Sequence, residues 1–372
     1  MNLRFLRPLF NRPGSWASVY LDTSRVGANA DHEVELRWRA LRATLAGQGA
    51  DAATLAALDE AVRNRPTEPG RHGLALFARA GEVALVEPLP APPPTDEAHV
   101  GALPHAMPLL AQRGGEVPHV RVLADRTGAD LTGLTVDGTP RQRTVHGGES
   151  FPLTKVQAGG WSHRRYQQAA EVSWERNAGD VAAAAADLAE SVGAEVIVVG
   201  GDVRAAQLFR ERLPVRWRDR TVRTDAGSRH AGADNTALDD VTVQAIAEVA
   251  DRHDREVVDR FRAQAVDGTA PTGLAEVVAG LQRGQVDTVL LVNDTSSTDT
   301  LWIGPDNPTH VAADEQTLRA LGVHDPQRVR ADAALLRAIA GTDAELVLVG
   351  PGEVPLAHGV GAVLRYADAS TA

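Results

Sequence analysis

The sequence contains no cysteine and no long apolar run. Without cysteine the chain has no disulfide, no thiolate zinc site and no cysteine nucleophile. A membrane-spanning helix needs roughly 18 apolar residues in a row, and a secretory signal also needs an uninterrupted apolar stretch. In the N-terminal residues MNLRFLRPLFNRPGSW, the apolar side chains are interrupted by Arg4, Arg7 and Pro8. We therefore expect a cytoplasmic protein without a membrane partner.

Positive charge is also scarce. The 372 residues carry a net charge of −11, and Lys155 is the only lysine. We therefore do not expect the molecule as a whole to bind nucleic acid, and we expect no DNA partner. Residues 141–166 depart from this balance. They contain a single carboxylate, Glu149, and five cationic side chains, which are Arg141, Arg143, Lys155, Arg164 and Arg165. This segment, the basic island, is either a solvated surface loop or a binding site for a phosphate-rich partner.

Motifs of hydrolases, metal sites and nucleotide sites are missing as well. The 12 histidines form no H-E-x-x-H pattern, and no G-x-S-x-G nucleophile motif occurs. Gly200-Gly201-Asp202 follows an apolar strand, as phosphate-binding turns do, but neither G-x-G-x-x-G nor the P-loop pattern is complete. We interpret these residues as a tight turn. We expect no metal and no cofactor, and a self-contained hydrolase is poorly supported.

The apolar pattern predicts an α/β (α+β) protein of three domains, 1–115, 116–265 and 266–372, each with a mixed sheet and packed helices. In the first domain, HGLALFARAGEVALVEPL predicts a hairpin turning at Ala80-Gly81, and DAATLAALDEAVRN predicts a helix capped by Asp51. A second helix, HEVELRWRALRATLAG, is predicted to place five apolar residues roughly along one face: Val34, Leu36, Trp38, Leu41 and Leu45.

The middle domain is predicted to open with two strands around the turn DRTG. A long loop follows, and then a helix from Ser162, in which Gly179 costs about 1 kcal/mol relative to alanine and is a possible bend. The continuous apolar run AEVIVVGG predicts a strand covered on both faces. RTVRTDA predicts another strand and 236–264 a further helix. The third domain repeats the α/β pattern around the strands VDTVLLVND and AELVLVG.

The loop before this helix combines two glycines, an indole and cations. Gly159 and Gly160 precede Trp161, and His163, Arg164 and Arg165 follow. One interpretation is a glycine turn with Trp161 packed on the helix. The other is an exposed tip, on which the indole stacks on a nucleobase for about 1–3 kcal/mol while Lys155 and the arginines hold phosphates.

The stretch KVQAGGWSHRRYQQ resembles the loop of archaeal and eukaryotic peptide-release factors, in which Ala-Gly-Gly-Gln-Ser precedes a basic-aromatic helix start. Four residues match that motif: Ala158, Gly159, Gly160 and Ser162. In addition, Arg165 and Tyr166 fall where the family has Arg-Phe. Trp161 stands in place of the catalytic glutamine. Segments along most of the chain resemble the family in the same order, among them ASVYLDT, HVRVLADRTGADLTGL, GLAEVVAGLQRGQVDTVLLVND and GVGAVLRY.

The resemblance is strongest to the bacterial branch of this superfamily, family 2, which includes the ribosome-hibernation factor Balon and is related to Pelota. It implies a release-factor-like middle domain, an L7Ae-like C-terminal domain and a ligand of the A site of the 70S ribosome. The loop would contact ribosomal RNA at the peptidyl-transferase centre, and the third domain would contact elongation factor Tu. The RNA-binding residues would be Arg141, Arg143, Lys155, Gly159, Gly160, Trp161, His163, Arg164 and Arg165. The first domain lacks the Asn-Ile-Lys-Ser motif, so stop-codon reading is not supported.

Trp161 separates the functional alternatives. Its backbone N–H can still stabilise an oxyanion, but the side-chain amide that orients water is lost and bulk is added. We therefore favour a non-hydrolytic factor that occupies and protects idle ribosomes. Two alternatives stay open: a peptidyl-tRNA hydrolase for stalled ribosomes that uses backbone groups alone, and an adaptor that recruits a nuclease or GTPase without entering the peptidyl-transferase centre.

Overall fold

The computed structural model describes residues 1–12, 14–27, 29–67, 69–114, 117–136, 138–147, 160–230, 232–294 and 297–366; between residues 160 and 173 it describes the backbone. The chain divides into two compact units. The first combines Met1–Gly114 with Asp254–Ala372, and the second is Gly115–His253. The division into the domains 1–115, 116–265 and 266–372 stays a prediction. Among the helices within the described ranges, none has the length and apolarity that crossing a membrane requires.

The N-terminal segment alternates short helices with the strands of one sheet. After a 3-10 turn at Arg4–Leu6, its helices are α1 (Arg7–Phe10), α2 (Ala30–Gly47), α3 (Ala52–Arg63) and α4 (Met107–Arg113). Its strands are β1 (Trp16–Asp22), β2 (Gly73–Arg79), β3 (Glu82–Leu89) and β4 (Glu97–Gly101), in the antiparallel order β3-β2-β1-β4. The hairpin turns at Ala80 and Gly81, as the sequence predicts, and both residues have positive φ.

The middle segment forms the second unit, and its last helix, α8, continues beyond the end of that unit at His253. Its strands are β5 (His119–Asp125), β6 (Gly128–Leu134), β7 (Pro140–His146), β8 (Val196–Gly201) and β9 (Thr221–Arg223). Its helices are α5 (Gly160–Val192), α6 (Val203–Arg212), α7 (Val215–Arg218) and α8 (Thr236–Val266).

The last segment carries two small sheets. Its helices are α9 (Leu274–Gln282), α10 (Glu315–Ala320) and α11 (Ala331–Thr342). Its strands are β10 (Val286–Val292), β11 (Thr300–Ile303), β12 (Val311–Ala312), β13 (Gln327–Arg330), β14 (Glu345–Val349) and β15 (Val360–Leu364), the last preceded by a 3-10 turn at Ala357–Gly359. The described strands form sheets in the orders β14-β10-β15 and β12-β11-β13. Helices packed on sheets confirm the predicted α/β (α+β) class. The sheets β14-β10-β15 and β7-β6-β5-β8-β9 are mixed, whereas the N-terminal sheet is antiparallel throughout and departs from the predicted mixed sheet in each domain.

Helices α2 and α3 cover one face of the N-terminal sheet. Asp51 caps α3, because its carboxylate accepts a hydrogen bond of 2.8 Å from the Thr54 backbone N–H. Val34, Trp38, Leu41 and Leu45 are buried in the core against β1 and β2. Leu36 is 46% exposed, so the prediction that it shares their face is wrong. The reason is geometric, since a residue two positions after Val34 is rotated by about 200° around the helix.

The opposite face of that sheet shares a core with the last segment. Tyr20 and Phe77 belong to the same buried cluster as α4 and as Leu335, Leu336 and Ile339 of α11. The N-terminal amine donates to the Leu346 carbonyl oxygen at 2.5 Å. The first unit is therefore a single packed body made of two segments that are distant in the sequence.

The second unit is a five-stranded sheet with helices on both faces. The order of the described strands is β7-β6-β5-β8-β9, in which β5, β8 and β9 are parallel and β6 and β7 antiparallel. Helices α5 and α6 bury one face, and Leu238, Ala245 and Val249 of α8 bury the other. Strand β8 is covered on both faces, which explains its unbroken apolar sequence. This unit carries the basic island, with β7 at one edge of the sheet.

Candidate nucleic-acid interface

Two arginines of the basic island lie on the edge strand β7. Arg141 and Arg143 pair in register with Gly133 and Leu131 of β6, and both arginines are exposed. Leu131 belongs to the core beneath α5, and residues paired across strands point to the same face. Both arginines therefore lie on the α5 face of the sheet. There an Arg143 Nη1 lies 3.8 Å from Asp187 Oδ2 of α5.

Helix α5 starts at Gly160, two residues before the predicted start at Ser162. Trp161 is thus in the first turn of the helix. Lys155 and Gly159 lie outside the described residues. The side chains of Trp161, His163, Arg164 and Arg165 do so as well, and their contacts with RNA stay predictions.

The helix geometry sorts these positions nonetheless. Positions 161, 164 and 165 have the spacing i, i+3 and i+4, so they share one face of α5. Position 163 follows position 161 by about 200° around the helix and lies on the other side. Positions 161, 164 and 165 therefore lie on one side of the helix backbone and position 163 on another, and RNA binding by all four residues stays a prediction.

The chain directly after β7, at Gly147, is held against α5. The Gly147 N–H donates to the Thr127 carbonyl oxygen at 2.6 Å. Asn177 is 6% exposed, and its Nδ2 donates to the Arg126 carbonyl oxygen at 3.2 Å. A Cβ at Gly147 would lie 2.3 Å from that same Nδ2, so only glycine fits here without displacing Asn177. We call Gly147 and Asn177, with the backbone of Arg126 and Thr127, the loop clamp.

The position of the loop clamp along α5 determines how far the start of the helix lies from the clamp. Asn177 lies about 25 Å along the helix axis from Gly160, because each helical residue rises about 1.5 Å. The chain therefore leaves the sheet at Gly147 and rejoins the helix far from that point. Gly160 and Trp161 start a helix that is anchored in the sheet at its other end. This geometry suits presentation of the first turn of α5 to a partner at some distance from the sheet.

An ionic network supports the opposite face of the sheet beneath β7. Arg229 Nη1 lies 3.0 Å from Asp125 Oδ1, and Arg229 Nε lies 3.0 Å from Asp130 Oδ2. Hydrogen bonds from Arg229 and from Thr144 of β7 hold the pKa of Asp130 below its usual range. At Asp125, burial acts to raise the pKa, but hydrogen bonds from Thr127 and Arg229 outweigh it, so the pKa of that carboxyl is lowered too. Both carboxylates already accept hydrogen bonds and have a lowered pKa, so neither is suited to act as a general base.

Gly200 and Gly201 are the last two residues of β8, so the tight turn that the sequence analysis places on Gly200-Gly201-Asp202 is reduced to Asp202, which leads directly into α6. A Cβ at Gly200 would lie 2.3 Å from the Ala226 carbonyl oxygen, and Gly201 has φ +110°. Asp202 caps α6 by accepting hydrogen bonds of 3.0 Å from the N–H groups of Arg204 and Ala205. Its carboxylate occupies the position where a phosphate would have to sit, and it also pairs with Arg126 Nε at 3.1 Å.

Sequence reasoning missed the loop clamp. Asn177 stands among the apolar residues Trp174, Ala178 and Val181 that form the inner side of α5. A polar side chain at such a position needs a buried partner, and this signal could have been read from the sequence. The partner itself, the turn after β5, follows only from the folded structure.

The sequence matches a described family over most of the second unit. Residues 118–266 match the model of bacterial archaeo-eukaryotic release factor family 2. Two proteins of Mycobacterium tuberculosis, uncharacterized proteins Rv2629 and MT2704, are each 32% identical over 365 residues, which is 97% of this chain and 96% of theirs.

Solved structures with similarity include two Pelota proteins. Archaeoglobus fulgidus Pelota is 15% identical, with 80% of each chain covered and a TM-score of 0.33. A ribosome-bound archaeal Pelota, in a model with ABCE1, is 14% identical, with 98% of this chain and 94% of that one covered and a TM-score of 0.38. The family assignment rests on the sequence matches. On these, and as the Gly-Gly-Trp loop predicts, the chain belongs to bacterial archaeo-eukaryotic release factor family 2.

Proposed function

We propose that this protein occupies the A site of idle or stalled 70S ribosomes and protects them, with the first turn of α5 directed to the peptidyl-transferase centre. The observation that carries the proposal is the family 2 match over residues 118–266, because it includes the Gly-Gly-Trp loop and the helix that follows it. Belonging to a release-factor superfamily makes the ribosome the natural partner. Hibernation as the purpose of binding is our inference.

The β7 arginines support a phosphate partner. Arg143 and Asp187 are 51% and 73% exposed, so their contact at 3.8 Å contributes at most about 1 kcal/mol. A phosphate can replace Asp187 at small cost. Arg141 is exposed on the same face of the strand. The two guanidinium groups can therefore contact RNA beside the base of the loop.

The position of Trp161 supports binding over hydrolysis. The first four N–H groups of a helix have no acceptor within the helix, and the helix dipole adds positive potential there. Because α5 begins at Gly160, the Trp161 N–H belongs to this set. Such a group suits a phosphate or carbonyl oxygen of RNA. Without the glutamine side chain, nothing in the motif orients an attacking water.

The A-site assignment is tested by sedimentation with purified 70S ribosomes. We expect co-sedimentation with vacant ribosomes and loss of binding when transfer RNA already fills the A site. A cryo-EM map of the complex would locate the first turn of α5. Equal binding to filled and vacant ribosomes would overturn the assignment, and peptide release from stalled complexes by the wild type would favour the hydrolase.

Contact between the third segment and elongation factor Tu is part of the same proposal and rests on the resemblance. Deleting residues 268–372 is an unsuitable test, because these residues share a core with the N-terminal sheet. Cross-linking on the ribosome is better. Lys155 is the only lysine, so the reagent must target Asp and Glu side chains. Cross-links from residues 268–366 to the GTPase are expected, and cross-links confined to residues 1–253 would contradict the contact.

A further inference from the structure

A second cationic surface lies outside the basic island. Residues 203–223 carry seven arginines and only two carboxylates, Glu211 and Asp219, in a chain whose net charge is −11. The arginines lie on α6, α7, β9 and the turns between them: Arg204, Arg210, Arg212, Arg216, Arg218, Arg220 and Arg223. We call this set the arginine surface.

Three of these arginines are tied to neighbouring groups. Arg212 Nη2 lies 2.8 Å from Glu175 Oε2 of α5, and Arg216 pairs with Glu190 of the same helix. Arg218 Nη2 donates at 3.0 Å to the carbonyl oxygens of Glu211 and Leu213. These contacts hold α6 and α7 against the unit, and they leave the surface with an excess of positive charge even after the α5 carboxylates are counted.

Three others are exposed and have no carboxylate partner within the described ranges: Arg210, Arg220 and Arg223. Arg220 is oriented by the buried Trp217, since its guanidinium carbon lies 6.0 Å from the indole centroid. The guanidinium carbon of Arg216 also lies 6.0 Å from the centroid of that indole. Rigid placement lowers the entropy lost when a guanidinium binds a ligand.

The arginine surface is separate from the basic island. Strands β7 and β9 are the two edges of the sheet, four strand spacings or about 19 Å apart. Between them runs α5, whose carboxylates Glu175, Asp187 and Glu190 pair with arginines from both sides. The unit therefore carries two cationic regions, and carboxylates of α5 pair with arginines of each.

We propose that the arginine surface is a second RNA-binding surface, which holds backbone phosphates of a ribosomal RNA segment distinct from the one that meets the loop. The identification of that RNA as ribosomal rests on the proposed function. RNA fits better than an acidic protein for two reasons. All the cations are arginines, which bind phosphate through two parallel hydrogen bonds and stack on bases. Arg210, Arg220 and Arg223 are exposed and have no carboxylate partner among the described residues, so their guanidinium groups can contact phosphates.

The test compares two triple variants with the same change in charge. Arg210→Gln, Arg220→Gln and Arg223→Gln together remove the unpaired cations. The control combines Arg39→Gln, Arg262→Gln and Arg319→Gln, which are exposed arginines scattered over α2, α8 and α10. Binding to a labelled single-stranded RNA of mixed sequence and to 70S ribosomes is measured between 50 and 200 mM KCl. Circular dichroism checks that each variant is folded.

We expect the loss of RNA affinity over this salt range to be about 20-fold smaller for the surface variant than for the wild type, because each phosphate contact contributes a slope of roughly 0.7. The control should match the wild type. Equal behaviour of the two triple variants, or a wild type that binds no RNA, would overturn the proposal. Binding of polyglutamate in place of RNA would assign the surface to an acidic protein. If RNA binding depends on the three arginines but no form binds ribosomes, the surface stands and the proposed function fails.

Discussion

At the scale of single residues, the loop clamp gives a matched pair of glycine substitutions. Gly147→Ala should destabilise the protein by about 1–3 kcal/mol, because the new methyl group overlaps the buried Asn177 amide. Gly179→Ala, in the middle of α5 and facing open space, should stabilise it by about 0.5–1 kcal/mol. Urea denaturation measures both. Equal effects of the two substitutions would mean that Asn177 moves aside without cost.

A buried arginine makes the second prediction at this scale. Arg337 is 2% exposed and donates to the carbonyl oxygens of Gly304 at 2.7 Å and Pro305 at 2.8 Å. Arg337→Met would leave both carbonyl groups buried without their donor, which should cost about 2–4 kcal/mol in urea denaturation. Arg319→Met removes an exposed ion pair with Glu315 and should change stability by less than about 1 kcal/mol. A small effect at Arg337 would show that water replaces the guanidinium.

At the scale of secondary-structure elements, α5 makes the prediction about Trp161. Trp161→Ala should weaken ribosome binding by about 1–3 kcal/mol, the contribution of one stacked base. Trp161→Phe, which keeps a stacking face, should retain most of the affinity. Unchanged binding by the alanine variant would assign the indole to packing on the helix.

The same scale shows which elements could be predicted from the sequence. The β2–β3 hairpin and the Asp51 cap each follow from a local signal, a turn dipeptide or a capping side chain, and both are confirmed. Strand β9 is shorter than predicted, because only Thr221–Arg223 pairs with β8. Short elements such as α1 and β12 have too few residues to show a period. The arginine surface was missed although seven arginines within residues 203–223 are a local signal in the sequence. What the sequence does not show is which of these arginines pair with carboxylates of α5.

At the scale of the whole molecule, the two units should behave differently as fragments. Residues 115–253 contain their own sheet and its covering helices, so this fragment should fold alone. Residues 1–114 lack α11 and β10, which complete the core around Tyr20 and Phe77, and should be unfolded or aggregated. Circular dichroism and proton NMR dispersion distinguish these outcomes. A well-folded fragment 1–114 would contradict the shared core.

The shared core also predicts a pH dependence. Burial lowers the pKa of His105, partly offset by Asp332, whose Oδ2 lies 3.7 Å from Nδ1; Arg330, His99 and Glu97 also face this imidazole. Burial lowers the pKa of His99 as well. The unfolded chain therefore binds more protons near pH 6, and stability should fall as the pH drops below about 6.5. Melting temperatures at pH 7.5 and 5.5 should differ less for His105→Gln than for the wild type, and equal differences would assign the effect to other groups.

The discontinuous first unit has a consequence for how the protein is made. Synthesis delivers residues 1–114 before the middle unit, and Leu335, Leu336 and Ile339, which help to bury the second face of the N-terminal sheet, emerge more than 200 residues later. The middle unit can fold while the chain is still growing, since everything it needs lies between residues 115 and 253. The N-terminal sheet must therefore keep an apolar face in water until α11 has been synthesised. During that interval nascent chains are exposed to chaperone capture and to mispairing with their neighbours.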